Sequence, residues 1–303
     1  MFNIFNKKKL IVTHNGGFHA DDVFACAALS ILEKNRVKIA RTRDPRINEK
    51  ADYVVDTGGI YDEDLNRFDH HQKDGAGARE NGIQYASAGL VWKKFGRILS
   101  GNEETAQKVD QKLIQAIDAN DSGMNIADYI YPDVFYFRAS DLIGSLNATS
   151  LENQNDIMPR FKKAVALAKD ILLRQIKVES DRVEINKMIK TAYENSVDKR
   201  ITILDRSFRR VELMEGLYKF PEPLFVVYPD SDGRGWRSTA VLADMKSYNS
   251  RKKFPDSWAG LHDEKLQEVS GVSDAEFCHR NLFTVSVKSK EGAIKLSQLA
   301  LKS

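Results

Sequence analysis

Four of the six histidines, His14, His19, His70 and His71, fall within the first 71 residues, each with an aspartate close by, among them Asp21, Asp56 and Asp69. Imidazole and carboxylate without thiolate make a donor set for Mn, Fe, Co or Zn, and the oxygen-rich share favours Mn. Two cations need about six ligands and usually one bridging carboxylate; held roughly 3.5–4 Å apart, they stabilise both oxygens of an in-line phosphoryl displacement. The residue types therefore point to metal-assisted phosphoester hydrolysis. Cysteine takes no part: Cys26 and Cys278 lie far apart in apolar surroundings, which argues against a disulfide scaffold or a thiolate zinc site and fits a reducing compartment.

Such a site needs elements that bring separate segments together. Leu10–Thr13 is a short β-rich run ending at the turn signal His14-Asn-Gly-Gly17, and Ala20–Glu33 switches to a helical period with Asp21 and Asp22 in its first turn. Further strands are expected at Val37–Arg41, Asp52–Asp56 and Arg67–Phe68, the last running into Asp69-His70-His71. In a parallel-rich α/β sheet the carboxyl ends of the strands share one rim, so His14, Asp56 and His70-His71 converge there. Asp56, ending the central strand, is the expected bridge.

Ser87–Arg97 and Glu104–Ala119 read as helices, and Pro159 opens a long helical stretch to about Ser196. Beyond it, strands are expected at Ile201–Leu204, Leu224–Tyr228, Trp236–Val241, Glu276–His279 and Phe283–Val287, with a closing helix from Glu291. The fold class is thus α/β: residues 1–150 form a metal-binding sheet domain, 151–199 a helical connector, and 200–303 a smaller mixed α+β domain.

The whole chain of 303 residues has net charge +3, with 42% hydrophobic and 29% charged residues, a composition that excludes disorder as the dominant state. No run approaches the roughly 20 apolar residues of a membrane span, so no membrane partner is expected. Residues 1–150 carry −2 and residues 151–303 carry +5, as expected of a metal-holding half joined to a half that attracts an anion. Met1–Lys9 shows three lysines and neither a signal nor a transit pattern, which makes the cytoplasm the expected location.

The ordered set Thr13-His-Asn-Gly-Gly-Phe-His-Ala-Asp21, Val54-Val-Asp-Thr-Gly-Gly59 and Arg67-Phe-Asp-His-His-Gln72 resembles the melanocyte-proliferating-gene (Myg) exonuclease family of the DHH phosphoesterase superfamily. Ser87-Ala-Gly-Leu90, Asp118-Ala-Asn-Asp-Ser-Gly123, Pro255-Asp-Ser-Trp-Ala-Gly-Leu261 and Phe277-Cys-His279 extend the resemblance over nearly the whole chain. It implies a DHH-type domain followed by a DHH-associated substrate domain. It also implies a 3′-to-5′ RNA exonuclease that releases nucleoside monophosphates with two divalent cations, Mn2+ first and Mg2+, Co2+ or Zn2+ as alternatives.

By position, His14, His19 and Asp56 would hold one cation; Asp21, Asp56, His70 and a later aspartate would hold the other. Asp121, followed by Ser-Gly, is the favoured later ligand, with Asp118 as the alternative. His71 is expected to approach the scissile phosphate, and Asp69 to orient a neighbouring imidazole, so His71, Asp69 and Asp56 form the catalytic set. In the second domain Arg237 and His279 are expected substrate contacts, and Arg251-Lys-Lys253 reads as a solvated basic face. Where relatives often continue into a glycine pair after that histidine, this chain has Asn281-Leu-Phe-Thr-Val-Ser286, without a glycine. The expected partner is single-stranded RNA or a short oligonucleotide, and a homo-oligomer is compatible. The competing readings are hydrolysis of nanoRNA, a cyclic dinucleotide or pyrophosphate, and a non-catalytic metal-containing RNA-binding protein.

Overall fold

The computed structural model describes residues 8–153, 155, 157–247 and 249–303; Met1–Lys7, part of the segment read above for a leader, lies outside them. The chain divides into two units, Met1–Ser180 and Asp181–Ser303.

In the first unit, strands β1 (Lys9–Thr13), β2 (Val37–Arg41), β3 (Tyr53–Val55), β4 (Tyr61–Asp62) and β5 (Arg67–Phe68) form one sheet in the order β2-β1-β3-β5-β4. All neighbours are parallel except the edge pair β4–β5. Side chains alternate across a strand, so Ile11, Val55 and Phe68 face the main core while Val12 and Val54 close a small cluster with Ala51 on the other side. Helix α1 (Ala20–Leu32) is buried continuously from Ala20 to Ser30, as its Ala/Val/Phe-rich sequence allows, and α3 (Ser87–Ser100) adds Leu90, Val91 and Trp92 to the same core. Between them, α2 (Pro45–Asn48) starts at an Asp44 N-cap.

The single helix expected over Glu104–Ala119 is three pieces: α4 (Glu103–Val109), a π-helical turn (Asp110–Ile114) and α5 (Gln115–Asp121). Such a turn holds an extra residue, which resets the face that the following helix presents. A short α6 (Ala139–Gly144) precedes α7 (Ile157–Asn195), the long helix. The division between units falls inside α7, so the segment read as a separate connector is shared between them. Phe161, Ala164, Ala168 and Leu172 join the first core.

The second unit holds a five-stranded sheet in the order β6-β7-β8-β10-β9: β6 (Ile201–Ile203), β7 (Phe225–Pro229), β8 (Trp236–Ala240), β9 (Ala275–Cys278) and β10 (Thr284–Val287). Only β6–β7 is parallel, and the Asp230–Gly235 loop closes the expected β7–β8 hairpin. Helices α9 (Asp263–Ser270) and α10 (Lys290–Lys302) cover one face through Leu266, Ala293 and Leu296; α8 (Arg210–Leu217) and Ile189 of α7 cover the other through Leu213, Met214 and Leu217. Among the described residues no helix is long and apolar enough to cross a membrane. Arg251 is not part of a solvated face: its guanidinium donates to the carbonyls of Tyr218, Phe220 and Pro223 at 2.6–3.1 Å and ties down the turn before β7.

Candidate metal centre

The parallel strands β1, β3 and β5 end on one rim. His14 follows β1, Asp56 follows β3, and Asp69-His70-His71 follows β5. The first turn of α1 adds His19 as N-cap together with Asp21 and Asp22, and the last turn of α5 adds Asp121. Asp56 sits among three imidazoles: its Oδ2 is 3.3 Å from His14 Nε2 and 3.2 Å from His19 Nε2, and its Oδ1 is 3.4 Å from His71 Nδ1. Asp121 spans two more pairs, 3.0 Å from His19 Nδ1 and 3.0 Å from His70 Nε2, while Asp21 Oδ2 lies 3.9 Å from His70 Nδ1. Among the described residues three groups bring candidate ligand atoms within 4.8 Å of one another: His14/His19/Asp56, Asp21/His70/Asp121 and Asp56/Asp69/His70/His71.

Local structure fixes these groups. Asp56 adopts a left-handed backbone (φ 54°), which costs an L-residue about 1–2 kcal/mol and is tolerated best by Asn and Asp. The strain falls at the centre of the cluster. Asp21 is pinned by the buried first-turn amide donors of α3, which have no partner within the helix: Ser87 N at 3.0 Å and Ala88 N at 2.5 Å. Asp69 accepts from Gly59 N (2.6 Å) and holds His71 Nδ1 at 2.7 Å, which leaves the exposed His71 ring facing outward. His70 Nδ1 is 3.4 Å from Ser87 Oγ.

The electrostatics are those of a site short of positive charge. Burial opposes charge on His14, His19 and His70, yet the surrounding carboxylates outweigh it and raise all three, His19 to about 11 through Asp121 and Asp56. Burial would raise Asp56 and Asp121, but His14 and His19 hold Asp56 down at about 2, and His19 and His70 hold Asp121 lower still. Asp21 is pushed well up by burial and by the neighbouring charges of Asp56 and Asp121. His14 Nε2, His19 Nδ1 and both Asp56 oxygens are buried without a partner of hydrogen-bond geometry, their contacts being ion-pair distances only. Acid-rich, thiolate-free and short of hydrogen bonds, this set fits divalent cations.

Imidazoles must be deprotonated to ligate. Because their pKa values are raised, protons compete with metal to higher pH, so Mn2+ affinity is expected to rise with pH and loading at neutral pH to release protons from His14, His19 and His70. Titration calorimetry in buffers of different ionisation enthalpy measures that release, and a buffer-independent heat contradicts it.

Asp118 and Asp121 sit in different surroundings. Asp118 accepts from Gly89 N (3.0 Å) and pairs with Arg79 Nη2 (2.8 Å), and Arg79 also holds Asp110 of the π turn through two bonds of 2.9 and 2.7 Å. A side chain at position 89 would collide with the Asp118 carboxylate, so only glycine permits this approach. Burial raises Asp118 to about 7 against the pull of Arg79. Asp121 alone of the two joins His70 and Asp21.

Sequence reasoning missed Asp22. It is fully buried, its Oδ1 accepts from His19 N (2.9 Å), and its Oδ2 lies 3.4 Å from His14 Nε2 without a hydrogen bond. The signal was present as the third helical position of a capping box, where acids are commonplace. Arg79 was missed as well, since nothing in its own segment announces a partner on a distant helix.

Within the second unit, Arg237 and His279 line one cavity of about 780 Å³ together with Arg210, Tyr228 and Phe283. Arg237 pairs with Asp230, with both Nε and Nη2 at 2.7 Å from Oδ2. Arg210 lies 4.8 Å over the Phe283 ring, and His279 packs 4.4 Å from the same ring. Leu282, in the turn after His279, adopts φ 60° and donates to His279 O at 2.7 Å, so the turn takes a glycine-like backbone while the buried leucine fills the core.

The family model MYG1_exonuc, described as Uncharacterised protein family (UPF0160), matches residues 10–301. A MYG1 protein from Caenorhabditis elegans is 30% identical, covering 96% of this chain and 95% of the relative. The MYG1 exonuclease of Homo sapiens is 30% identical over 96% and 85%, and a MYG1 protein from Chlamydia pneumoniae is 32% identical over 96% and 96%. Among solved structures, a manganese-bound exonuclease RecJ covers 98% of this chain and 91% of its own at 11% identity and a TM-score of 0.27, too loose to carry an argument.

Proposed function

This chain belongs to the MYG1 exonuclease family, and from that premise we propose that it is a metal-dependent nuclease that shortens RNA from its 3′ end, releasing nucleoside monophosphates. The observation that carries the chemistry is Asp56: a buried carboxylate, both oxygens without hydrogen bonds, ringed by three imidazoles from two separate segments. His14, His19 and Asp56 would hold one divalent cation, and Asp21, Asp56, His70 and Asp121 the other, Mn2+ being the best match to this donor set. Such cations supply Lewis acidity at a phosphoryl group and charge neutralisation. His71, steadied by Asp69, donates to a phosphate oxygen. Asn15 O holds His14 Nδ1 from behind, Asp22 adds a buried carboxylate beside the same Nε2 that faces Asp56, and Arg79 fixes α5 so that Asp121 faces inward.

The test is metal analysis followed by assays of 5′-labelled RNA, single-stranded DNA, short RNA, a cyclic dinucleotide and pyrophosphate with Mn2+, Mg2+, Co2+ and Zn2+. A ladder of RNA that keeps its 5′ label, strongest with Mn2+, is expected. No RNA cleavage with any cation, or early loss of the label as a mononucleotide, overturns the proposal.

The basic second unit is assigned the task of holding the polymer. Replacing Arg237 by alanine removes a charge-assisted contact and leaves Asp230 facing the cavity, so kcat/KM for RNA is expected to fall about tenfold relative to bis-p-nitrophenyl phosphate. Equal falls on the two substrates would contradict a substrate-holding role.

A further inference from the structure

Directly after Asp121, the segment 124–138 sets eight large apolar side chains in the open, five of them aromatic: Tyr129, Tyr131, Phe135, Tyr136 and Phe137. Phe135 is 72% exposed and Tyr131 and Phe137 are each 71% exposed. Soluble proteins seldom leave so dense an apolar run without something to cover it.

The chain joins this loop to the metal centre directly at its start and through α6 at its end. At its start, Asp121 closes α5. Gly123 then takes the left-handed conformation (φ 67°) and Met124 N donates back to Ala119 O (2.7 Å), a helix stop that fixes where the loop leaves. At its end, α6 leads to Asn147, whose side chain accepts from Phe18 N (2.9 Å) and donates to Phe18 O (2.7 Å); the next residue is His19. Inside the loop, Tyr129 stacks on Tyr136 at 4.7 Å and meets Phe135 edge-on at 5.0 Å, and Tyr136 Oη donates to Ala127 O (3.2 Å). That framework leaves Tyr131 and Phe137 standing in solvent.

The charge is wrong for phosphate. The ionisable side chains of this loop, tyrosines aside, are Asp128, Asp133 and Arg138, and Arg138 is paired with Asp141 at 3.0 Å. Ring faces are offered and a free cation is not. We infer that the loop is a stacking platform for the unpaired bases of a single-stranded nucleic acid whose reacting phosphate lies in the metal centre. This rests on the nuclease reading and adds to it how the bases are held: by sequence-tolerant stacking, which requires unpaired substrate. A second copy of the chain is the competing occupant; a loop that starts beside Asp121 and returns through α6 to the backbone next to His19 favours the substrate.

The test measures binding of a 5′-fluorescein oligoadenylate with phosphorothioate linkages to the metal-loaded protein, beside an abasic chain of equal length. Tyr131→Leu and Phe137→Leu keep apolar area and remove the ring. Each is expected to weaken the oligoadenylate about tenfold and to leave the abasic chain unaffected. Tyr131→Phe, which keeps the ring, is expected to bind like the wild type. Stacking releases no condensed counterions, so the tenfold loss should persist from low to high salt.

Unchanged affinity in the leucine variants overturns the platform, as does a loss shared by the abasic chain. Sedimentation velocity on the same samples addresses the second copy: a change of oligomeric state with oligonucleotide affinity intact also overturns it. A wild type that cleaves unmodified RNA but binds the abasic and base-bearing chains alike sinks the platform alone. A wild type that neither binds nor cleaves any oligonucleotide sinks the nuclease reading with it.

Discussion

Asp56→Asn is expected to lower phosphodiester turnover by about three orders of magnitude and to strip metal from the protein while leaving the first unit folded. The size of the effect follows from position. The Asp56 side chain is 1% exposed, and its carboxylate lies within 3.2–3.4 Å of nitrogens from His14, His19 and His71. An amide cannot neutralise two cations, and its NH2 turns a donor toward ligands that also need to face positive charge. Losing electrostatic stabilisation at a preorganised site of this kind costs about 10²–10³ for a single neutral donor, and a shared charge is worth more. Asparagine tolerates the left-handed backbone as aspartate does, so φ 54° gives no separate reason for the variant to misfold. Steady-state hydrolysis at saturating Mn2+, metal content by mass spectrometry and the circular dichroism melt decide it together. Near-wild-type turnover would remove Asp56 from the bridging position.

The rim that carries Asp56 is legible in sequence because two simple regularities coincide there. Short apolar β-branched runs mark β1 and β3, and each stops at a turn-former beside a histidine or aspartate. Parallel order then requires those stops to lie at one edge. What the sequence conceals is whatever depends on long-range partners. Asp22 looks like an ordinary first-turn acid until its own burial and His14 are known. Arg79 sits in a glycine-rich loop and finds Asp110 and Asp118 only when the helices pack. The π turn is invisible to a 3.6-residue period because it changes that period for one turn. The short helices α2, α6, α8 and α9 are held by caps and tertiary contacts rather than by a long apolar stripe. The aromatic loop inverts the usual rule: Tyr131, Phe135 and Phe137 have core composition and surface location, which only the structure can separate.

Asp121→Ala and Asp118→Ala are expected to fail in opposite ways, although three residues separate them on one helix. Asp121 reaches His19 and His70 at 3.0 Å, and the Ser-Gly that follows ends α5 so that its carboxylate sits at the rim. Its removal takes a ligand from the group that also holds Asp21 and His70, so one metal equivalent and about 10²-fold or more of the activity should be lost while the fold survives. Asp118 spends its carboxylate on Gly89 N and Arg79. Its removal leaves a buried guanidinium with Asp110 and the Tyr85 ring as its remaining partners and strips Gly89 N of its acceptor. Breaking a buried pair costs about 3–5 kcal/mol; the remaining Asp110 contact places the loss near the low end, at about 3 kcal/mol, or a melting decrease of about 6–12 °C for a unit of this size. Metal content should stay near that of the wild type at temperatures where the variant is folded. Arg79→Met, which removes the charge and leaves an apolar stem beside Asp118, should likewise destabilise the unit and shift α5 enough to weaken metal binding without abolishing it. Metal analysis and melting curves on the three variants separate ligand from scaffold. Loss of metal in Asp118→Ala with retention in Asp121→Ala would reverse the assignment and make the Arg79 pair a feature of the metal-free protein alone.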